Sequence, residues 1–146
     1  QGIQKIYIFN RTCPVDKARE TILQMIEQKY AVEIQLYSLS DTIQLQSCIY
    51  DSESVVQATQ IGMDGISNPI HSDICFSHDQ LVMDLIYHPW QTPFLKQAEQ
   101  SAKYCKNGFD MLLYQAAAAF ELWTHQTMPV AYLKERYIQD YLRKDL

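Results

Sequence analysis

The opening stretch of the chain, up to Leu39, constrains the fold most, because its apolar pattern changes period twice. Lys5-Ile6-Tyr7-Ile8-Phe9 is a β-branched and aromatic run bounded by Asn10 and Arg11, the composition of a buried strand. Ala18, Ile22, Met25 and Ile26 then recur at helical spacing, with Pro14 tolerated in a first turn and Asp16 suited to the positive helix end. A helix is predicted to about Lys29. Ala31 to Leu39 alternates apolar with polar, which predicts a second strand. A β-α-β unit of this length has parallel strands and a right-handed crossover. The loop from Asn10 to Pro14 therefore lies at the carboxyl end of the sheet, the edge that carries function in open α/β sheets.

The rest of the chain is less regular. A helix or strand is expected near Gln44 to Tyr50, a helix near Glu53 to Ile61 and a turn at Gly62 to Asn68. Leu81, Leu85 and Ile86 suggest a further helix capped by Ser77 or Asp79. Beyond Pro89 and Pro93, a long helical stretch is predicted from about Leu95 to His125, with Asn107-Gly108 as the candidate break. Val130 to Leu133, after Pro129, reads as a strand. The tail to Leu142 fits either a hairpin or a helix, because Leu133, Tyr137 and Tyr141 also lie at helical spacing.

Composition narrows the function classes. With 146 residues and 47% apolar content the chain can bury one core, which predicts a single domain. Its net charge of −5 and scattered lysines and arginines provide no basic face, so nucleic acid is not an expected partner. No apolar run approaches the ~20 residues that span a bilayer, so a soluble protein is expected. No signal-peptide pattern is present, which decides nothing about compartment. Glycine-rich phosphate motifs, a G-x-S-x-G elbow and an H-E-x-x-H motif are absent.

Strand, Thr12-Cys13-Pro14-Val15-Asp16, helix and strand, followed far downstream by Thr127-Met128-Pro129, together resemble the thioredoxin superfamily, with a long intervening stretch similar to the helical insertions of its DsbA and DsbC-like branches. The resemblance implies a thioredoxin-like α/β fold with an insertion over about 41–125. It matches Cys13 to the family's attacking cysteine, Pro14 to the residue after it and Pro129 to the cis-proline, with Thr127, Met128 and Pro129 holding a partner's backbone. Asp16 stands where the resolving cysteine belongs. A helix-terminal cysteine gains thiolate character from the macrodipole, while a carboxylate one turn away offsets that gain. Without a resolving thiol a mixed disulfide is not readily released.

This reading implies a redox-inactive protein-binding scaffold of the cell envelope or periplasm, within a secretion assembly, that takes a protein or peptide in a groove near Pro129 and needs no cofactor. The alternative is a monothiol disulfide isomerase working through Cys13. A third reading is a metal-dependent enzyme built on His71, Asp73 and His78, although their spacing fits no familiar zinc signature. Of the four cysteines, Cys48 and Cys75 form the preferred disulfide, with free buried thiols as the alternative, and the pairing of Cys105 stays open. The downstream aromatic residues are assigned to core and groove lining rather than to base stacking, because basic residues do not interleave with them.

Overall fold

The structure is a computed structural model that describes residues 2–144, with side chains described through Tyr141. Its elements run β1 (Lys5–Asn10), α1 (Lys17–Tyr30), β2 (Glu33–Ser38), α2 (Thr42–Tyr50), β3 (Ser54–Gln57), β4 (Leu81–Asp84), α3 (Pro93–Ala98), β5 (Tyr104–Lys106), α4 (Phe109–Thr124) and α5 (Val130–Lys144). Every strand pairing is parallel, which gives an α/β architecture. The strands form two groups, β1-β2 and β3-β4-β5.

The predicted first β-α-β unit is present. Lys5 pairs with Glu33 and Asn10 with Ser38, so both strands end at the same level. Asp16 starts α1 by accepting the Arg19 amide at 3.0 Å, the N-cap role that a short carboxylate fills well. Tyr7 donates its hydroxyl to Asp51, which ties β1 to the end of α2.

The core gathers around β4. Val82, fully buried, packs with Leu45, Ile49, Ile74, Phe76, Phe94, Leu95, Ala98 and Ala102, and Phe9 and Val55 pack against that set. Phe76 and Phe94 meet edge to face at 5.7 Å, an arrangement that aromatic quadrupoles favour. Burying Val82 alone contributes about 1.5–3 kcal/mol. Gln80, 3% exposed, donates to the Ile49 and Ser52 carbonyls and accepts the Ser77 amide, closing the loop that leads into β4. A second aromatic set docks α5: Tyr137 stacks on Phe109 at 4.2 Å, and the Tyr141 hydroxyl accepts the Trp90 amide at 3.3 Å.

Several expectations are corrected. The helix predicted over Glu53 to Ile61 is the strand β3, and the helix through Leu81 is the strand β4. The stretch from Leu95 to His125 is two helices separated by β5, and the strand predicted after Pro129 is the first turn of α5. Proline fits there because the first amides of a helix lack intrahelical acceptors. The cis peptide bonds among the described residues are Cys13–Pro14 and His88–Pro89, so the one expected at Pro129 is not found. All four cysteines are free thiols, which removes the Cys48–Cys75 disulfide.

Candidate functional site

Parallel strands send their carboxyl ends to one edge, where the following loops can converge on a ligand. β1 delivers Asn10 and then Arg11 to the carboxyl edge of the β1-β2 pair. Arg11 is exposed, and among the described residues its guanidinium has no ion pair or hydrogen-bond partner. Nearby cationic Arg19 is already engaged, its Nε lying 3.3 Å from Asp16. The amide of Arg19 is also the main reason the Asp16 carboxyl is held below its ordinary range. Arg11 is thus a free cationic donor beside the end of β1, suited to an anionic group.

β3 and β4 end on Gln57 and Asp84, which are register partners and both buried. Gln57 organises the loop after β3: its amide nitrogen donates to the Ile61 carbonyl at 3.0 Å, and its amide oxygen accepts the Thr59 amide. Asp84 organises the loop after β4. Its Oδ1 accepts the Ile86 amide at 2.9 Å and the Gln57 side-chain amide at 3.4 Å, while Oδ2 accepts the Thr92 hydroxyl at 2.6 Å. Burial pushes the Asp84 carboxyl up from its ordinary value, and the Thr92 and Ile86 donors offset part of that rise. Gly62 packs against the second loop with a φ of +109°, which a side chain rarely adopts, and a Cβ there would sit 3.5 Å from Thr92 Cβ. Farther along the same loop, Asp64 is held down to about 2, chiefly by the Ser67 hydroxyl and then by the Ile66 and Ser67 amides.

The residues singled out from the sequence fall in several different segments. Cys13 is exposed in the β1–α1 loop, followed by Pro14, and Asp16 is the α1 cap. Thr127, Met128 and Pro129 form the link from α4 to α5, and no backbone hydrogen bond among the described residues joins them to Cys13 or Pro14. His71 pairs with Asp73 at 3.3 Å and His78 with Asp79 at 3.0 Å, both on exposed surface. No group of three metal-ligating side chains occurs among the described residues. Nor is any helix among them long and apolar enough to cross a membrane. Sequence reasoning passed over Arg11, Gln57, Asp84 and Thr92. The available signal was a polar residue directly ending each apolar run, Asn10-Arg11 after Phe9 and Asp84 after Met83.

Comparison with known proteins points in a consistent direction. A family model described as the C-terminal domain of shikimate 5'-dehydrogenase matches residues 108–136. The shikimate dehydrogenase (NADP(+)) of Streptococcus pneumoniae (strain ATCC 700669 / Spain 23F-1) is 39% identical over 140 residues, covering 96% of this chain and 49% of that protein. The crystal structure of shikimate 5-dehydrogenase from Listeria monocytogenes, in complex with shikimate and NAD, superimposes with a TM-score of 0.81 at 34% identity, over 93% of this chain and 48% of that one. Quinate dehydrogenase from Corynebacterium glutamicum in complex with NAD shares the fold, with a TM-score of 0.72 at 24% identity, over 94% of this chain and 47% of that one. These similarities overturn the thioredoxin-like, DsbA/DsbC-like assignment. The redox-inactive scaffold, the monothiol isomerase and the disulfide and secretion roles fall with it. The chain spans about half the length of the relatives it matches, and over nearly all of its own length it is similar to shikimate dehydrogenases.

Proposed function

We propose that this chain forms the NADP-binding half of an oxidoreductase of the shikimate dehydrogenase family. The observation that carries the reading is Arg11, exposed and without a counter-ion among the described residues, at the carboxyl end of β1 in a parallel α/β frame. In dinucleotide-binding folds an arginine near such a strand end accommodates the 2′-phosphate that distinguishes NADP from NAD. The similarity to proteins named for NADP(+) supports the same assignment.

Strand order supports the frame. Dinucleotide-binding sheets of this class run 3-2-1-4-5-6, and the groups β2-β1 and β3-β4-β5 fit their two flanks. The strand between those flanks bears the glycine-rich turn that holds the pyrophosphate. The 146 residues contain no G-x-G-x-x-G run. In this reading the pyrophosphate turn belongs to the part of the relatives' length that the chain does not span. The bound nucleotide supplies hydride chemistry, and the protein supplies binding and orientation. Arg11 would hold the phosphate of the adenosine half, with the loops after β3 and β4 bordering the nicotinamide half. Shikimate is the proposed substrate, following the relatives' names.

The test is calorimetric titration of NADP+, NAD+ and 2′,5′-ADP into the chain and into Arg11→Ala. A charge-assisted contact with one phosphate is worth about 1.5–3 kcal/mol, so at this exposed site a preference for NADP+ of roughly tenfold is expected. Arg11→Ala should abolish that preference. Equal affinity of the wild type for NADP+ and NAD+, or an NADP+ affinity indifferent to Arg11→Ala, would refute the reading.

A further inference from the structure

We propose that Asp84 is a positioning residue that locks the loops after β3 and β4 into a single rim for the nicotinamide half of the nucleotide. This rests on the nucleotide-binding reading above and adds to it a residue that touches no ligand. Asp84 has no exposed surface, and no ion pair among the described residues includes it. Position 84 ends the same strand whose Val82 is an ordinary apolar core residue. A carboxylate buried without a cation is costly unless its oxygens are fully used by donors. At Asp84 they are used by three donors, Gln57 at the end of β3 and Ile86 and Thr92 in the loop after β4.

The directions of these bonds leave little freedom. Thr92 caps α3, so its oxygen accepts the Leu95 amide at 3.3 Å, and its single hydroxyl proton goes to Asp84 Oδ2. The Ile86 amide and the Gln57 side-chain amide both point at Oδ1. Asparagine cannot reproduce this set. With its oxygen facing Thr92, its NH2 group opposes two donors; with its oxygen facing Ile86 and Gln57, the Thr92 hydroxyl loses its acceptor. Either orientation strands a buried donor.

Through these bonds position 84 reaches both loops. Gln57 carries the connection to Thr59 and Ile61, and Gly62 lies directly on Thr92 and Ile86. Thr92 and Ile86 belong to the loop that also presents exposed Tyr87. A sheet of this class binds the two halves of a dinucleotide on the two sides of its central crevice. The Asp84 rim lies on the β3-β4 side and Arg11 on the β1-β2 side, so the two can be separated by ligand choice.

The experiment compares wild type, Asp84→Asn, Thr92→Val and Thr92→Ser by titration with NADP+ and with 2′,5′-ADP, which lacks the nicotinamide half. Amide exchange over residues 58–62 and 85–92 is followed in parallel. Asp84→Asn and Thr92→Val should weaken NADP+ about five- to tenfold, leave 2′,5′-ADP within twofold and accelerate exchange in both loops together, the size expected when a buried donor loses its acceptor. Thr92→Ser, which keeps the hydroxyl, should match wild type. General damage to the fold would weaken both ligands, and that result, or an unchanged NADP+ affinity in Asp84→Asn, overturns the proposal. If Asp84→Asn fails to fold, the contrast between Thr92→Val and Thr92→Ser decides. If the wild-type chain, which carries no glycine-rich pyrophosphate turn, binds no NADP+ by itself, the exchange data decide the rim: acceleration of both loops supports it, and acceleration of one alone overturns it.

Discussion

Gly108→Ala places two opposing effects at one residue. Gly108 immediately precedes α4 with a φ of −74°, a conformation alanine adopts freely. Judged by the backbone alone, alanine would stabilise the protein by about 0.4–1 kcal/mol, because it restricts the unfolded chain. The surroundings reverse the sign. A Cβ at position 108 would lie 1.9 Å from the Leu85 carbonyl oxygen and 2.5 Å from the Leu85 carbonyl carbon, both backbone atoms that cannot rotate away. Restoring ordinary contact near ~3.5 Å requires a displacement of about 1.5 Å between the start of α4 and the end of β4. That movement breaks the 3.0 Å bond from the Gly108 amide to the Ile86 carbonyl. It also draws buried Phe109 and Leu113 outward. Overpacking costs ~1–3 kcal/mol and the lost hydrogen bond about 1 kcal/mol, so the net destabilisation is roughly 1–3.5 kcal/mol once the entropic gain is subtracted. Near 150 residues this lowers Tm by about 2–14 °C. Urea denaturation monitored by circular dichroism measures it directly. A Gly108→Ala protein as stable as wild type, or more stable, would refute the close approach of the two backbones.

The same physical chemistry gives smaller effects elsewhere. Ala31 and His125 end α1 and α4 in the left-handed conformation, with φ of 52° and 55°, so Ala31→Gly and His125→Gly should each stabilise by about 0.5–1 kcal/mol in thermal melts. Cys13 and Cys75 are exposed whereas Cys48 is 4% exposed, so iodoacetamide should label the first two in the native protein and Cys48 after unfolding; native labelling of Cys48 would contradict the packing of α2. Cys13→Ser should leave NADP+ affinity and stability unchanged within about 0.5 kcal/mol in the same titrations and melts, as for a surface substitution away from caps and core.

The sequence by itself determined the first β-α-β unit, because strands of six residues and a helix of fourteen are long enough for their periods to appear. It also placed the loop that follows Asn10 at the carboxyl edge of the sheet, since handedness and parallel pairing follow from local rules. The later strands had no such signature. β3 and β4 have four residues each and β5 three, and Leu81, Leu85 and Ile86 match helical spacing as well as strand spacing. Parallel pairing with neighbours from distant parts of the chain decided those segments, with the burial of Val82 to reward it. The same distinction bears on the thioredoxin-like reading that the similarities overturn. Thr12-Cys13-Pro14 and Thr127-Met128-Pro129 fall in a suggestive order, yet no backbone hydrogen bond among the described residues joins them; Asp16 caps a helix and Pro129 immediately precedes one. Arg11 was visible as a residue but not as an unpaired charge. Asp84, Gln57, Thr92 and Gly108 acquire their roles from groups 8 to 27 residues away, because a carboxylate needs donors and a glycine needs a backbone against it, and only the folded chain delivers either.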